Sequence, residues 1–502
     1  MNLLSMVRGQ RSARTGSGAL AALFQGIALF IGLLLSATGQ ARIVGLETFA
    51  LNDERALEVE VGELPVLENR DNPDSRRIKL GFFRVKSARD DSSVPTFILP
   101  GGPGGSYTER LEEPGRGRDA TVELIDLYRQ RGDVVLVDLR GVSRSTPNAV
   151  CEGAPNKWRL INEKSDFMDV LAAGALACRK KLLDEGFDIR GYNVLEAAAD
   201  VIEIADSLGY EQIRLHGTSF GSHWSMTVMR YHSDRVARAV ISGVESYDHT
   251  YDDPEGLRAA ASMISVMAST AWQEAGREGD PLTHIDALLK RSLEDPELAH
   301  GLEPYLVSTL ALGGQDFGLT SRARMPGWPD AAADLVDGSV WLEKTFVRFL
   351  GARFAVPSGW DAAAVGLFDC SSGLSEERRA RLNAHADPLF TPAALEFYDT
   401  ICPAWDVPPL SKEFRAGAIV DVPVLFVHGD IDFATPLSNA EENMSLYPQG
   451  HLVVVGNGSH GAFLESLRMD SQMESLVLDW IDGKAPSRDY VQLPPIEFES
   501  FD

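Results

Sequence analysis

Short runs of apolar, β-forming residues mark the first strands that the sequence predicts. They cover residues 77–85, 96–99 and 134–138, and Gly, Pro or charged residues separate them. Apolar runs of this length between turn residues are typical of β-strands. The pattern therefore predicts that a sheet starts in this part of the chain.

Helical periodicity then alternates with strand-like runs. Residues 193–208 and 219–232 carry apolar positions at helical spacing, whereas residues 213–216 and 237–241 form short apolar runs. Strands that alternate with helices in this way form a mostly parallel sheet covered by helices. The middle of the chain is therefore predicted to have an α/β architecture.

The alternation returns near the C-terminus, after a long interruption. Strand patterns at 422–428 and 451–455 precede a helical pattern at 466–481. Between the two blocks, residues 248–418 are rich in Leu, Ala and aromatic residues, with helical periodicity and little strand pattern. We expect the two blocks to build one sheet and the segment between them to form an inserted helical lid.

Four segments result from this organisation. Residues 1–41 form an export signal, 42–247 the first part of the core, 248–418 the lid, and 419–502 the second part of the core with a C-terminal tail. A chain of 502 residues is long enough for one domain with a large insertion or for two domains.

Composition excludes several classes of protein. Hydrophobic residues make up 44% and charged residues 24% of the chain, which is ordinary for a soluble globular protein. The 47 basic and 73 acidic residues give a formal net charge of -26, which repels phosphate backbones and anionic membranes. Nucleic acid is therefore excluded as a partner, and the field mildly favours cationic ligands.

The N-terminal residues have the pattern of an export signal. Arg8, Arg11 and Arg14 precede an apolar run over residues 19–35, and small residues follow as far as Ala41. Cleavage after Ala41 gives a secreted or periplasmic protein. The alternative is an uncleaved membrane anchor, since the run approaches the shortest bilayer-spanning length.

Export makes the four cysteines candidates for two disulfides, because compartments outside the cytoplasm are oxidising. Four cysteines allow three pairings, and sequence separation favours Cys151 with Cys178 and Cys370 with Cys402. Neither pair has the spacing of zinc ligands. No metal is expected.

The sequence around Ser219 carries the strongest chemical motif. Residues 215–221 read Leu-His-Gly-Thr-Ser-Phe-Gly, a G-x-S-x-G between a strand pattern and a helical pattern. This context is that of the nucleophile elbow of α/β-hydrolases, where the serine sits on a strained strand-to-helix turn. Ser219 is the predicted nucleophile and the Phe220 amide a predicted oxyanion donor, the alternative being a simple glycine-rich turn.

A serine nucleophile needs a histidine base and a carboxylate that orients it, and in this fold the chain order is Ser, acid, His. Asp432 follows the strand pattern 422–428 and is the predicted acid, with Asp430 as the competing choice. His460 lies on the glycine-containing loop after the next strand and is the predicted base. The remaining histidines considered are expected to be structural: His216, His223, His232 and His428.

A glycine-rich loop follows the strand at 96–99. Its sequence, Pro-Gly-Gly-Pro-Gly-Gly, places Gly101 and Gly102 where backbone amides complete an oxyanion hole. A phosphate cradle is excluded because the loop matches neither nucleotide-binding glycine pattern. No cofactor is expected.

Taken together, five motifs resemble the proline iminopeptidase family, and its secreted, tripeptidyl-aminopeptidase-like branch most of all. The motifs lie at residues 101–106, 138–145, 215–221, 429–436 and 458–461. The resemblance spans residues 63–482 and implies an α/β-hydrolase fold, a lid over the triad, and hydrolysis of peptides from a free amino end.

The resemblance also implies acidic side chains that receive the substrate ammonium group. Glu245, just after the strand pattern 237–241, is the candidate, against the alternative of a solvated loop residue. Asp138, Arg140 and Gly141 match the family's Asp-x-Arg-Gly stretch and are interpreted as structural support. Pro100 stands where many relatives have histidine, so no side-chain hydrogen bond is carried over at that position.

The leading functional hypothesis is a serine aminopeptidase that acts through an acyl-enzyme, with a peptide as substrate. An esterase or other small-molecule hydrolase is the alternative, since this fold changes substrate by varying its lid. A non-catalytic binding module is a third hypothesis. We expect no stable membrane association unless the signal is retained, and a monomer by default.

Overall fold

The computed structural model describes residues 42–89, 94–151, 167–248, 253–294, 319, 321–337, 362–386, 389–390, 395 and 397–498. The predicted export signal, residues 1–41, lies outside the described residues, as do parts of the predicted lid.

Ten strands of the described chain form one sheet, in the order β1-β2-β3-β5-β4-β6-β7-β8-β9-β10. From β5 to β10 neighbouring strands are parallel, whereas β1, β2 and β3 join the sheet antiparallel. The strands are β1 (Arg42–Ala50), β2 (Ala56–Leu67), β3 (Arg77–Val85), β4 (Thr96–Leu99), β5 (Val134–Val137), β6 (Ile213–Ser219), β7 (Val236–Val244), β8 (Val424–Gly429), β9 (Gly450–Gly456) and β10 (Tyr490–Gln492).

The two predicted blocks of strands thus build one mostly parallel sheet. Strand β8, from the second block, pairs directly with β7, from the first. Because the strands from β5 to β10 run in the same direction, the loops after β4, β6, β7, β8 and β9 all meet at one edge. These are the loops that carry the candidate site residues of the sequence.

Helices cover both faces of the sheet, as the alternating pattern predicted. The helices outside the lid are α1 (Tyr107–Glu112), α2 (Arg116–Tyr128), α3 (Phe167–Asp184), α4 (Val194–Ser207), α5 (Phe220–Tyr231), α13 (Leu437–Met444), α14 (Ala462–Met469) and α15 (Met473–Ile481). On one face Trp224 of α5 and Phe426 of β8 belong to one buried cluster. On the other face Val477 of α15 and Leu425, the neighbouring residue of the same strand, belong to a second. Alternate residues of the strand therefore supply two cores.

The C-terminal helical pattern at 466–481 is two helices rather than the single one predicted. Asp470 has extended backbone angles and ends α14. Its carboxylate accepts a hydrogen bond from Gln472 N (2.8 Å) and from the Arg488 guanidinium. This local bonding offers the backbone an alternative to the helix, so the chain turns before α15 begins.

The described residues between 253 and 418 form helices joined by turns and loops, and they contain no strand. The helices are α6 (Pro254–Glu274), α7 (Pro281–Glu294), α8 (Trp328–Val336), α9 (Ala362–Ser372), α10 (Glu376–His385), α11 (Cys402–Trp405) and α12 (Lys412–Arg415). Ile264 and Trp272 of α6 share a buried cluster with Ile431 and Phe433, the residues on either side of Asp432. This part of the lid therefore packs directly against the loop that carries the predicted acid.

Both predicted disulfides are present. Cys151 is bonded to Cys178 and Cys370 to Cys402, with Cα–Cα distances of 5.2 and 5.3 Å. Disulfides are typical of extracellular and periplasmic proteins. Within the ranges given above, no helix combines the length and the apolar character that crossing a membrane requires.

Candidate active site

Ser219 lies at the junction of β6 and α5, in a backbone conformation that ordinary residues avoid. Its φ is 58° and its ψ is -130°. A Cβ on Gly217 would lie 2.1 Å from the carbonyl oxygen of Gly221, and a Cβ on Gly221 would lie 2.2 Å from that of Leu99. Both glycines are therefore required for this tight turn, and the turn directs a strained serine out of the sheet edge.

The glycine-rich loop lies directly against Ser219. A Cβ on Gly101 would be 3.0 Å from Ser219 Cβ and 3.6 Å from Ser219 Oγ. Gly102 has a φ of 132°, which side-chain-bearing residues rarely adopt. Phe220 is the first residue of α5, so its backbone amide belongs to the unpaired helix N-terminus beside Ser219. The arrangement suits an oxyanion hole built from backbone amides.

Asp138, in the Asp-x-Arg-Gly stretch, is hydrogen-bonded to residues that directly follow the glycine-rich loop. Asp138 is buried and accepts hydrogen bonds from Ser106 Oγ (2.7 Å) and Thr108 Oγ1 (2.5 Å), just after the glycines. Burial raises the pKa of Asp138 to about 6, although the hydroxyl donors and Arg144 oppose the shift. Arg140, also buried, bonds Asp200 through two nitrogens (2.6 and 2.8 Å). Among the described residues, neither side chain forms a hydrogen bond with Ser219 Oγ, in keeping with a supporting role.

His460 is paired with Asp432. The imidazole Nδ1 lies 3.0 Å from Asp432 Oδ2 and 3.1 Å from Oδ1. The carboxylate is further held by the amides of Ala434 (2.8 Å) and Thr435 (2.9 Å). Asp432 is 1% exposed, so this pair lies in a low-dielectric environment, with the imidazole itself 23% exposed.

The interaction between the two side chains lowers the pKa of Asp432 and raises the pKa of His460. Burial alone would raise the pKa of Asp432, but the charge and the hydrogen bond of His460 hold it below its usual value. Burial alone would lower the pKa of His460, but the charge and the hydrogen bond of Asp432 raise it, with smaller contributions from Glu245 and Glu465. An imidazolium formed next to Asp432 is thus stabilised, as a general base requires.

Asp430, the competing acid, has a different partner. Its carboxylate accepts a hydrogen bond from Asn457 N (2.8 Å), in the loop between β9 and His460. Its role is therefore to bridge two loops, and the geometry favours Asp432 as the partner of the histidine.

Gly243 brings the histidine and the serine turn together. A Cβ on Gly243 would lie 2.8 Å from His460 Cε1 and 3.3 Å from Ser219 N. The imidazole therefore rests on the glycine at the end of β7, next to the elbow. The predicted nucleophile and base belong to loops that are distant in sequence, and the sheet edge brings them into one site.

Glu245 also reaches this site, where it is partly buried and hydrogen-bonded to the serine rather than fully solvated. Ser219 Oγ donates a hydrogen bond to Glu245 Oε1 (3.1 Å). Ser222 fixes the arrangement, because its hydroxyl accepts from Glu245 N (2.8 Å) and donates to the Ser219 carbonyl (2.6 Å). In this arrangement the serine proton points towards Glu245, whereas a serine nucleophile has to give its proton to a histidine base.

The electrostatics of Glu245 are unusual for a carboxyl group. Burial, together with the charges of Asp369 and Asp432, raises the pKa of Glu245 to about 8, while Ser219 and His460 partly offset the shift. A carboxyl with this pKa is largely neutral at pH 7 when nothing cationic is bound. A ligand ammonium group placed against it would favour its ionised form.

Asp369 is a residue that the sequence patterns did not single out. It lies on α9 of the lid, is 8% exposed, and acts on Glu245 from the lid side. One sequence signal pointed to it: it is the single acidic residue in the apolar helix that precedes and includes Cys370. A carboxylate in such a helix is expected to be buried and therefore to have a specific partner.

Three of the remaining histidines are buried and structural, as expected. His216 Nδ1 lies 2.9 Å from the Tyr128 hydroxyl, and His223 Nδ1 lies 2.7 Å from the Ser246 carbonyl. His428 Nε2 accepts a hydrogen bond from Val244 N (3.1 Å), which ties the end of β7 to β8. His232 ends α5 as its C-terminal cap residue.

Two family models match the chain. A model described as the alpha/beta hydrolase fold matches residues 95–264, and one described as TAP-like protein matches residues 387–491. No curated protein matches the chain.

Similar solved structures include a serine hydrolase from the polyaromatic-hydrocarbon-degrading bacterium Cycloclasticus zankles, with 14% identity, a TM-score of 0.35, and coverage of 84% of this chain and 98% of that chain. A thermophilic esterase from Thermogutta terrifontis has 13% identity, a TM-score of 0.35, and coverage of 84% and 98%. An epoxide hydrolase from Vigna radiata has 15% identity, a TM-score of 0.36, and the same coverage. The chain has the α/β-hydrolase fold that its sequence predicted, which indicates a hydrolase, and its C-terminal region is similar to TAP-like proteins.

Proposed function

We propose that this protein is an exported serine aminopeptidase that cleaves peptides from a free amino end. The observation that carries the proposal is the hydrogen bond between Ser219 Oγ and Glu245 Oε1 (3.1 Å). This bond joins the proposed nucleophile directly to an acidic side chain on the loop after β7. Export is part of the proposal, supported by the sequence pattern of residues 1–41 and by the two disulfides.

The chemistry follows from the geometry of the pair Asp432–His460 and the elbow. Ser219 Oγ attacks the peptide carbonyl while His460 takes its proton, and the amides of Phe220, Gly101 and Gly102 receive the oxyanion. His460 then gives the proton to the leaving nitrogen as the peptide bond breaks. Water, deprotonated by His460, attacks the ester to Ser219; the acyl part leaves as a free acid and His460 returns the proton to Ser219 Oγ.

Glu245 makes the proposed reaction depend on a free amine in the substrate. A substrate ammonium group bound to Glu245 favours release of the carboxyl proton to solvent and replaces Ser219 as the partner of the carboxylate, so the serine proton is free to turn to His460. Asp369 adds a second negative charge from the lid. An ester without an amine would gain nothing from either carboxyl, and for this reason we favour a peptidase over an esterase.

The test is a panel of chromogenic substrates measured as initial rates. It comprises a free-amino proline amide, free-amino tripeptide amides, the acetylated form of each, and a short acyl ester. We expect acetylation to lower kcat/KM at least about 100-fold, since it removes a charge-assisted contact inside a desolvated site. The released fragment gives the number of residues in the acyl part.

Two results would count against the proposal. Equal rates for the free and acetylated amides would remove the role of Glu245, and cleavage of the ester alone would leave a serine hydrolase of a different class. A preparation of the Ser219→Ala variant, purified in the same way, controls for contaminating peptidases.

The disulfide next to Asp369 gives a further expectation. Cys370 and Cys402 close a loop of sequence separation 32, and Asp369 directly precedes Cys370 on α9. In the double variant Cys370→Ser, Cys402→Ser, the free energy of unfolding should fall by about 2–4 kcal/mol. KM for free-amine substrates should also rise, because the helix that carries Asp369 loses its anchor.

The other disulfide provides a matched control. Cys151 and Cys178 have a similar sequence separation of 27; Cys151 lies in a loop and Cys178 on α3, which packs against α9, but α9 keeps its own disulfide when theirs is removed. Their double serine variant should lose similar stability, measured by urea unfolding, without a change in KM. An equal rise of KM in both variants would show that the effect is one of general loosening.

A further inference from the structure

A cavity of about 330 Å³ lies beside His460. His460, Ser459 and Phe463 form part of its wall, and His216, Thr218 and Ser242 line it at the sheet edge. Of the described residues, those lining it include neither Ser219 nor Glu245 nor Asp369. The cavity therefore shares the histidine with the site described above but not the acidic residues.

The path of a substrate through the site is fixed by His460. Its Nδ1 is engaged with Asp432, so Nε2 is the atom that gives a proton to the leaving nitrogen. The acyl part is held by Ser219, with its amino end towards Glu245. The part of the substrate beyond the cleaved bond must then extend from His460, and the cavity begins at that residue.

The lining of this cavity includes two arginines. Arg110 of α1 and Arg324 of the lid line it, and both are exposed residues. The Arg110 guanidinium lies over the ring of Tyr107, 5.2 Å from its centroid, and Tyr107 also lines the cavity. In a chain with a net charge of -26, a lining with two guanidinium groups and one carboxyl, that of Glu465, favours an anion.

One carboxyl group, that of Glu465, also lines the cavity. Glu465 accepts a hydrogen bond from Ser459 N (2.9 Å) and another from the Ser459 hydroxyl. Burial raises its pKa, although these two bonds and Arg322 oppose the shift. Glu465 is thus bound to the loop before His460, and Arg110 and Arg324 are the arginines of the lining.

We propose that this cavity binds the leaving group, and that Arg110 and Arg324 select leaving groups that carry a carboxylate. Its volume lies near the lower end of the range of small-molecule sites, about 300–1,000 Å³, so it suits a leaving group of one or two residues. The substrates preferred by the enzyme are then short peptides with a free carboxyl end. This inference rests on the proposed aminopeptidase function and adds to it the part of the substrate beyond the cleaved bond.

The experiment compares two peptides that differ only at the carboxyl end. Both have the free-amine acyl part that the chromogenic panel cleaves fastest, followed by alanine with either a free carboxylate or an amide. At pH 7 we expect kcat/KM about tenfold higher for the acid, mainly through KM, because the contact is a charge-assisted pair at a partly exposed site. In the double variant Arg110→Gln, Arg324→Gln, the ratio of acid to amide should fall to about one.

The amide peptide serves as an internal control, because its rate reports the folding and the chemistry of each variant. Arg291→Gln, at an exposed position on α7, controls for the loss of one positive charge and should keep the wild-type ratio. Equal rates for acid and amide in the wild-type protein, or an unchanged ratio in the double variant, would overturn the inference and leave the aminopeptidase proposal intact. Failure to cleave any free-amine peptide would overturn both.

Discussion

Replacing Ser219 with alanine is expected to lower kcat by a factor of about 10⁴ to 10⁶, while the protein stays folded. A loss of this size is expected when an enzyme loses a serine nucleophile that acts as a unit with its histidine. The oxyanion amides and the substrate contacts remain, so a small residual rate over water is expected. Ser219 Oγ makes one hydrogen bond among the described residues, to Glu245, so little structure depends on the hydroxyl.

Initial rates and labelling with a fluorophosphonate probe measure this loss independently. The wild-type protein should form an adduct on Ser219, whereas the alanine variant should form none. Ser233→Ala, at an exposed position in the turn after α5, is the matched serine control and should keep both activity and labelling. Residual activity above roughly a hundredth of wild type in the Ser219→Ala variant would exclude Ser219 as the nucleophile.

Two kinds of local pattern located the predicted site residues: glycines that a tight turn requires, and recognisable strands directly before a site loop. Gly217 and Gly221 are needed because neighbouring carbonyl oxygens approach within about 2 Å of where a Cβ would lie. Asp432 and His460 follow strands whose apolar runs are easily recognised. A loop directly after a parallel strand has only one edge of the sheet on which to lie, so local pattern was sufficient to place the residue.

Other features depended on contacts between distant segments. Asp369 approaches Glu245 from a lid helix far along the chain, and no local pattern gives that approach. The contact between Ser219 and Glu245 likewise depends on Ser222, whose hydroxyl joins two loops. Side-chain networks of this kind are set by tertiary packing, which a single sequence does not encode position by position.

Three strands were also missed, for a different reason. β2 lies inside the sheet and alternates buried apolar residues with Glu58, Glu60 and Glu63, which is a strand pattern, but Gly62 and Pro65 interrupt it and no strand was predicted there. β1 is exposed along most of its length at the edge of the sheet, and β10 has only three residues. Edge strands bury little apolar surface, so their hydrophobic pattern is weak.

Replacing Glu245 with glutamine should affect activity and stability in opposite directions. For free-amine substrates we expect kcat/KM to fall about 100-fold, because a neutral amide cannot form the ion pair with the ammonium group. For acetylated substrates and the short ester, the rate should stay within about threefold of wild type. The different response of the two substrate types separates loss of recognition from loss of the serine's own chemistry, which would lower all rates together.

The stability effect follows from the raised pKa of Glu245, about 8 against the 4.5 of an unperturbed Glu. Since the folded protein favours the protonated form, the wild-type chain loses stability as the pH rises from about 4.5 to about 8, whereas the glutamine variant does not. The variant should therefore match the wild type at pH 5 and exceed it at pH 9, by about 2 kcal/mol once solvent screening of this partly exposed group is allowed for. Urea unfolding with intact disulfides, repeated from pH 5 to 9, measures the difference. Glu274→Gln, at an exposed position on α6, is the control and should show no such pH dependence. If the stability difference between Glu245→Gln and the wild type does not change with pH over this range, the Glu245 carboxyl is ionised in the unliganded protein.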